Sequence, residues 1–435
     1  MSVPVSVEHP VDRRSTREVF LWCTVVAAAS AARVAVAFRN PGELGLDADG
    51  YLAHAAELLK TGSYSGPYSD LPTAFRPPGY PVLLAAFQFV GCTEWASVLL
   101  ISLLATLAIA YCLWKTPGCD LRRFGLIATG IAMFDPLLFR YSLLPMTEVP
   151  CAAALMLAVF VYCRCCAAPD GRSSTLRCIV AGLFFSAATL IRPTVAVCVF
   201  LILLAELFAV LVKRTNDRRT DLRRVLTVGV MFVVGLCPWI VRNYLQFQRI
   251  IPATTHGGYT LALGNNPDFY RDVINGKDEF PWEGASLERW QRRTLEEAKQ
   301  SGTDILKETE LDAWYSAYAK AAMKENPSAA FKATRLRLRR FWALSTAESK
   351  NSFLTTCLSA WYGTLWLGLI MWVVFSFRIK LFVPEATCAL CVLAFVLMHT
   401  VYWTDTRMRT PVMPLLILLS VMGWSRAGSM IRSRR

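Results

Sequence analysis

Apolar positions in this 435-residue chain come in long runs, not in the alternating or three-in-seven spacing of half-buried strands and helices. The runs are roughly 17–24 residues long, close to the ~20 helical residues that cross a hydrocarbon layer of about 30 Å. They predict spans near 19–38, 94–114, 123–142, 146–163, 177–191, 194–212, 224–241, 354–376, 382–402 and 411–425. The apolar stretch Tyr80–Gly91 is too short to span alone. It reads as an extension of the second span, or as a re-entrant or interfacial piece. Pro145, Pro193, Pro238 and Pro411 fall at span edges, where a missing N–H and a clash with the preceding turn end or bend a helix. The expected fold class is an all-α polytopic membrane protein with about ten transmembrane helices.

These runs divide the chain into an N-terminal segment 1–18 and a transmembrane module 19–243 with a first outer loop at 39–80. A long loop with its own helices covers 244–353, C-terminal transmembrane helices cover 354–425, and a basic tail closes the chain at 426–435. The first apolar run has the length of a span and no small-residue cleavage site after it, so it reads as a retained signal anchor.

Charge adds an orientation. Charged residues make up 18% of the chain, below the roughly one quarter usual in soluble domains, and Lys and Arg collect in alternate loops. Arg13, Arg14 and Arg17 precede the first span. Lys115, Arg122 and Arg123 follow the second, and Arg164, Arg172 and Arg177 form the next basic group. The run Lys213 to Arg224, then Arg378 and Lys380, then Arg426, Arg432, Arg434 and Arg435 complete the set. Positively charged loops stay in the cytoplasm, so both termini are expected there. The net charge of +14 is then a topology signal, and no nucleic-acid partner is expected.

The fourteen cysteines lie almost entirely inside predicted spans or in the Cys163–Cys166 cluster, and the loop between Cys237 and Cys357 has none. They read as small hydrophobes.

Polar material on the outer face falls in four places: Arg39 to about Tyr80, Arg140 to Glu148, Arg242 to about Ser352, and Tyr402 to Arg409. Charges at membrane depth are costly and mark function. Asp47 and Asp49 stand before an amphipathic helix at Leu52–Lys60. Three roles stay open for each: helix N-cap, general base, or metal ligand. Arg76, Arg192, Arg242, Arg407 and Arg409 fall at outer span ends. There a guanidinium either grips phosphate or snorkels to headgroups. Glu148, in or beside the fourth span, pairs with Arg140 or Arg192 or holds an acceptor. His256 and Asp135 offer a weak site for a divalent cation, and no tightly held metal is expected. The long loop predicts helices at Leu287–Gln300, Glu308–Glu325 and Pro327–Leu344. The last is basic and aromatic, suited to a membrane-interface anchor or a donor-headgroup site.

Several stretches, in order, resemble the GT-C glycosyltransferases. The similarity is greatest to the bacterial relatives of protein mannosyltransferases and lipid A aminoarabinose transferases. Asp47 four residues before Tyr51, a helix, then Arg76-Pro-Pro-Gly-Tyr-Pro81 resembles the family's first external loop. Asp135-Pro-Leu-Leu-Phe-Arg-Tyr-Ser with Thr147-Glu148, and Gly182 to Arg192-Pro193, resemble further family segments. So do Pro238-Trp-Ile-Val-Arg-Asn-Tyr244, Thr255 to Pro267, and Asp405-Thr-Arg-Met-Arg-Thr-Pro411. Met408 departs from the family's usual Tyr and leaves the basic pair intact.

The resemblance implies an enzyme of the bacterial plasma membrane that takes a sugar from a polyprenyl-phosphate donor to a lipid, protein or glycan acceptor on the outer face. Asp47 would be its general base, with Asp49 a helper. Arg76, Glu148, Arg192, Arg242, His256, Arg407 and Arg409 would line the donor and acceptor site. Arg407 and Arg409 would face one phosphate from an extended turn before Pro411. Two alternatives remain: a polymerase or ligase acting on diphosphate-linked oligosaccharides, and a transporter. A transporter predicts symmetric halves, and the chain has no inverted repeat.

Overall fold

The computed structural model describes residues 15–67, 71–116, 121–167, 172–212, 218–276, 282, 284–345, 352–377 and 383–433. Arg13, Arg14, Lys213, Arg378, Lys380, Arg434 and Arg435 lie outside the described residues. The regular elements are helices, with one isolated bridge between Ser65 and Pro72.

In chain order, α1 (Thr16–Arg39), a 3-10 turn (Pro41–Gly45), α2 (Tyr51–Thr61) and α3 (Gly79–Phe89) come first. They are followed by α4 (Glu94–Lys115), α5 (Leu121–Met133), α6 (Pro136–Tyr141) and α7 (Glu148–Cys166). Next come α8 (Arg172–Ile191), α9 (Val195–Val212) and α10 (Arg218–Phe247). A head segment holds α11 (Gly257–Gly264), α12 (Pro267–Phe269), α13 (Ala285–Gln300), α14 (Glu308–Glu325) and α15 (Pro327–Phe341). The chain then re-enters the bundle as α16 (Ser352–Ser376), α17 (Val383–Met398), a 3-10 stretch (Thr406–Val412) and α18 (Met413–Ser433).

Eight stretches among the described residues are long and apolar enough to cross a membrane: α1, α4, α7, α8 from Ser174, α9, α10, α16 and Thr406–Met430. The shorter α5 and α17 occupy the other two expected positions. The chain is a multi-pass integral membrane protein.

One expected span is not continuous. The run 123–142 breaks after Met133, because Pro136 has no N–H to give and Asp135 caps the new start by accepting from Leu138 N at 3.1 Å. The break strands two backbone groups, and both are satisfied. The Met133 carbonyl accepts from Arg33 Nη1 at 3.0 Å, and Leu137 N–H donates to the Tyr362 hydroxyl at 3.3 Å. Arg33 is therefore a buried structural charge inside α1. It is also fixed by Ser142 Oγ at 3.0 Å and by the Phe139 ring.

Gly79 shows how closely the short α3 sits on the bundle. A Cβ there would lie 2.7 Å from the carbonyl of Leu190. Only glycine lets the Arg76-Pro-Pro-Gly turn press against the end of α8, one residue from Arg192. Cys165 on α7 and Cys178 on α8 bring their sulfur atoms together across the two helices.

The bundle core runs through α4, α7, α8 and α18. The head has its own aromatic core of Phe269, Trp282, Trp290, Tyr315 and Trp403. Asn326 caps α15 by accepting from Ala329 N. Arg337, buried in the middle of that basic helix, ties the head to the bundle. It donates to the carbonyls of Gly264 at 2.7 Å and Thr400 at 2.8 Å.

Candidate active site

The polar segments 40–51, 71–79, 146–148, 192–194, 254–258 and 402–409 converge at the head end of the bundle. Lys115, Arg164, Arg177, Arg224 and Arg426 lie at the ends of the same helices away from it.

Three arginines and three carboxylates form the centre. Arg76 Nη2 meets Asp49 Oδ1 at 2.8 Å, and its guanidinium lies over the Tyr51 and Phe75 rings. Arg192, just past the end of α8, donates to Glu148 Oε1 at 2.9 Å and to Thr147 Oγ1 at 3.1 Å. It also reaches Met408 Sδ. Glu148 therefore takes Arg192 as partner, while Arg140 pairs with Glu43. Arg407 stands between the others. Its guanidinium lies 3.7 Å from Asp49, 4.0 Å from Glu148 and 3.6 Å from Asp405. These separations attract without hydrogen bonding. Its Nε is buried without a hydrogen-bond partner, and its Nη1 makes a weak contact at 3.9 Å to Met146 Sδ. Of the three cations Arg407 is the least committed and, at 27% side-chain exposure, the most open.

The two loop aspartates differ sharply. Asp47 uses Oδ2 to cap α2, accepting from Ala53 N at 2.9 Å, while Oδ1 is buried with no partner. Asp49 is tied up. Burial opposes its charge, but Arg76, Arg407 and Arg192 outweigh that, and its carboxyl sits below the ordinary range. Asp405 goes the other way. Burial lifts its carboxyl above the ordinary range despite Arg407 and the Arg407 N–H that it accepts at 2.8 Å.

His256 packs edge-on against Phe75, with ring centroids 4.2 Å apart, and stacks on Tyr259. Burial, with Arg76 adding to it, lowers its pKa to about 3, so the ring is neutral, and its Nδ1 has no hydrogen-bond partner. Glu148 Oε2 is also buried and unpartnered. Orphaned buried polar atoms are costly, and Arg407 Nε, Asp47 Oδ1, His256 Nδ1 and Glu148 Oε2 put four of them at the head end of the bundle.

Two expected site residues lie apart from this centre. Arg242 clamps the first loop, donating to the carbonyl of Thr73 at 2.8 Å and to that of Tyr64, with the Trp239 ring beneath it. Arg409 is fully buried. It donates to the Phe341 and Ala343 carbonyls at 2.8 and 2.7 Å and lies over Tyr362 and Trp366. The 3-10 turn after Asp405 sends Arg407 to the centre and Arg409 under the end of α15, so the two do not share one anion.

Asp135 is spent on its helix cap and on Trp361 Nε1 at 3.1 Å. Among the described residues no three His, Cys, Asp or Glu side chains come together as a metal would require. Glu308 and Asp312 were not picked out from the sequence, because their partners, two backbone amides and the Thr73 hydroxyl, lie far along the chain.

Residues 75–241 match the family model described as dolichyl-phosphate-mannose-protein mannosyltransferase. No curated protein sequence matches the chain. Among solved structures, the archaeal oligosaccharyltransferase AglB from Archaeoglobus fulgidus, in complex with an inhibitory peptide and a dolichol-phosphate, superposes with a TM-score of 0.57. It is 15% identical over 97% of this chain and 52% of its own. ArnT from Cupriavidus metallidurans in the apo state gives 0.52 at 14% identity, over 94% of this chain and 60% of its own. The chain thus spans little more than half the length of these proteins. The chain thus shares the fold of these two membrane proteins, and its residues 75–241 are similar to the protein-mannosyltransferase family.

Proposed function

We propose that this chain transfers a sugar from a polyprenyl-phosphate-linked donor to an acceptor at the outer membrane face, with Asp47 as general base. The observation that carries the reading is the contrast within one loop. Asp49 is locked ionised by Arg76 and Arg407, and Asp47, two residues earlier, keeps a buried oxygen without a hydrogen-bond partner. A base must accept a proton from the incoming nucleophile, and a carboxylate held low by two guanidiniums is a poor acceptor. Asp47 Oδ1 has no hydrogen-bond partner and can face an incoming hydroxyl or amine.

Arg407 takes the donor phosphate. A phosphate oxygen that arrives between Arg407 and the surrounding carboxylates gains the hydrogen bonds that the guanidinium lacks without it, and a positioned cation stabilises charge on the departing lipid phosphate. Arg192 and Glu148 fix one another and frame that space. The basic loops at the far end support a cytoplasmic location for that end and for both termini. The dolichol-phosphate bound to the archaeal neighbour supports a polyprenyl carrier.

The test is to incubate the purified full chain in detergent with a panel of radiolabelled polyprenyl-phosphate sugars and detergent-solubilised membrane extract as acceptor source. Release of polyprenyl phosphate with label transferred to an acceptor is expected. Turnover of polyprenyl-diphosphate oligosaccharides alone would replace this reading with that of a polymerase or ligase.

A further inference from the structure

Helix α14 reaches both loops that bring side chains to Asp49. Its first residue, Glu308, accepts from Thr73 Oγ1 at 2.7 Å with one carboxylate oxygen and from Ala74 N at 2.6 Å with the other. One turn later on the same face, Asp312 Oδ1 accepts from Gly258 N at 2.6 Å. Gly258 is pressed onto α14 so closely that a Cβ would lie 2.0 Å from the Asp312 carbonyl oxygen. Ala74 precedes Phe75 and Arg76 by one and two residues, and Gly258 follows His256 by two. The two loops are also laced to each other, Thr255 N donating to the Ala74 carbonyl at 2.9 Å and Thr254 Oγ1 to that of Phe75. Both paths end on the same group: His256 packs on Phe75, and Arg76 beside it holds Asp49.

From this geometry we infer that Glu308 and Asp312 are positioning residues. They clip the Arg76 loop and the His256 loop to one helix of the head and so hold the Arg76–Asp49 pair in register beside Asp47. The inference rests on the sugar-transfer reading for its functional meaning. Its mechanical content is independent of it: the loop Asp47–Ala53, which α14 is not seen to bond, is held through Arg76. Carboxylates accepting two short hydrogen bonds, one from a backbone amide, are strong fixings. A helix carrying Glu308 with two such bonds and, at i+4, Asp312 with one from a backbone amide moves both loops together.

The experiment is hydrogen exchange on the full-length protein in detergent, read in peptides covering Asp47–Ala53, 73–76 and, as a fold control, α7. Glu308→Gln keeps size and removes charge; Asp312→Asn does the same at the second clip. Each is expected to raise exchange in Asp47–Ala53 by about tenfold, as local opening energies fall, with α7 unchanged. Arg76→Ala is expected to do likewise. The double variant Glu308→Gln/Arg76→Ala should exchange no faster than Arg76→Ala alone, because the two changes act along one path.

An Asp47–Ala53 peptide that stays at the wild-type rate while 73–76 opens would overturn the inference. So would effects of Glu308→Gln and Arg76→Ala that multiply. Titration with undecaprenyl phosphate, run in parallel, keeps the two claims apart. A wild-type chain that fails to bind this lipid counts against the proposed function, while the exchange pattern decides the clamp either way.

Discussion

Arg407 and Arg409 are two residues apart, carry the same charge and sit in one motif, yet the proposed function gives them opposite kinds of work. Substituting each by alanine separates these roles. Arg409→Ala removes a guanidinium that satisfies two buried carbonyls, those of Phe341 and Ala343, and that lies 4.4 Å from the Tyr362 ring centroid. Each carbonyl left dry costs about 1–3 kcal/mol, and a desolvated cation–π contact adds about 2 kcal/mol. Partial relaxation and water entry reduce the sum, giving an expected loss of about 3–5 kcal/mol. Arg407→Ala removes a partly exposed cation that makes no side-chain hydrogen bond to an oxygen among the described residues. Asp49 keeps Arg76, Glu148 keeps Arg192, and Asp405, whose neutral form burial already favours, can take up a proton when Arg407 is gone, so the loss is held to about 1 kcal/mol, the scale of a loose ion pair. The assay pairs detergent-phase unfolding with binding of undecaprenyl phosphate. Arg409→Ala should unfold far more easily while its surviving folded fraction still binds; Arg407→Ala should melt almost normally and lose binding by at least about tenfold, or 1.4 kcal/mol. An Arg409→Ala protein that melts like wild type but has lost the lipid would refute the division of labour.

Three further outcomes follow from the same geometry. His256 titrates near 3 in the folded chain and near 6.5 when unfolded. The unfolded state therefore takes up the proton first as pH falls, and the stability this ring leaves intact above 6.5 is lost on acidification. Detergent unfolding of wild type and His256→Asn between pH 7 and 5 should show the wild type losing up to about 2 kcal/mol more than the variant; parallel curves would contradict the assignment. Cysteines placed at Asn275 and Arg218 should label from opposite sides of the membrane, and labelling from one side would overturn the orientation. Arg337→Met should loosen the head, seen as proteolysis between α13 and α15, because the Thr400 and Gly264 carbonyls lose their donor; an unchanged digestion pattern would contradict that role.

Much of the fold was legible because a membrane imposes length. Helices of about 20 apolar residues are forced by hydrocarbon thickness, and the head helices announce themselves by caps and turn residues such as Asn326-Pro327. The break at Asp135-Pro136 was also in the sequence as a helix-start signal. The surrounding apolar run concealed it. The site was legible as a set of residue types and not as a set of partners. Arg33, Arg337 and Arg409 look in sequence like Arg76, Arg192 and Arg407, and which guanidiniums are spent on backbone carbonyls depends on breaks elsewhere in the fold. Arg33 was open to detection as a charge in the middle of an apolar run. Glu308 and Asp312 were not, since an acidic residue at the start of an exposed helix ordinarily serves that helix alone.

The most direct test of the account is turnover by Asp47→Asn and Asp49→Asn with a polyprenyl-phosphate sugar that wild type accepts. Asparagine keeps the side-chain oxygen that caps α2 at Ala53, so Asp47→Asn should fold and bind undecaprenyl phosphate while its kcat falls by about 10²–10⁴-fold. Asp49→Asn removes a counter-charge of Arg76 and Arg407, which calls for a smaller loss weighted toward KM. Near-normal turnover in Asp47→Asn together with abolished turnover in Asp49→Asn would contradict the assignment of the base.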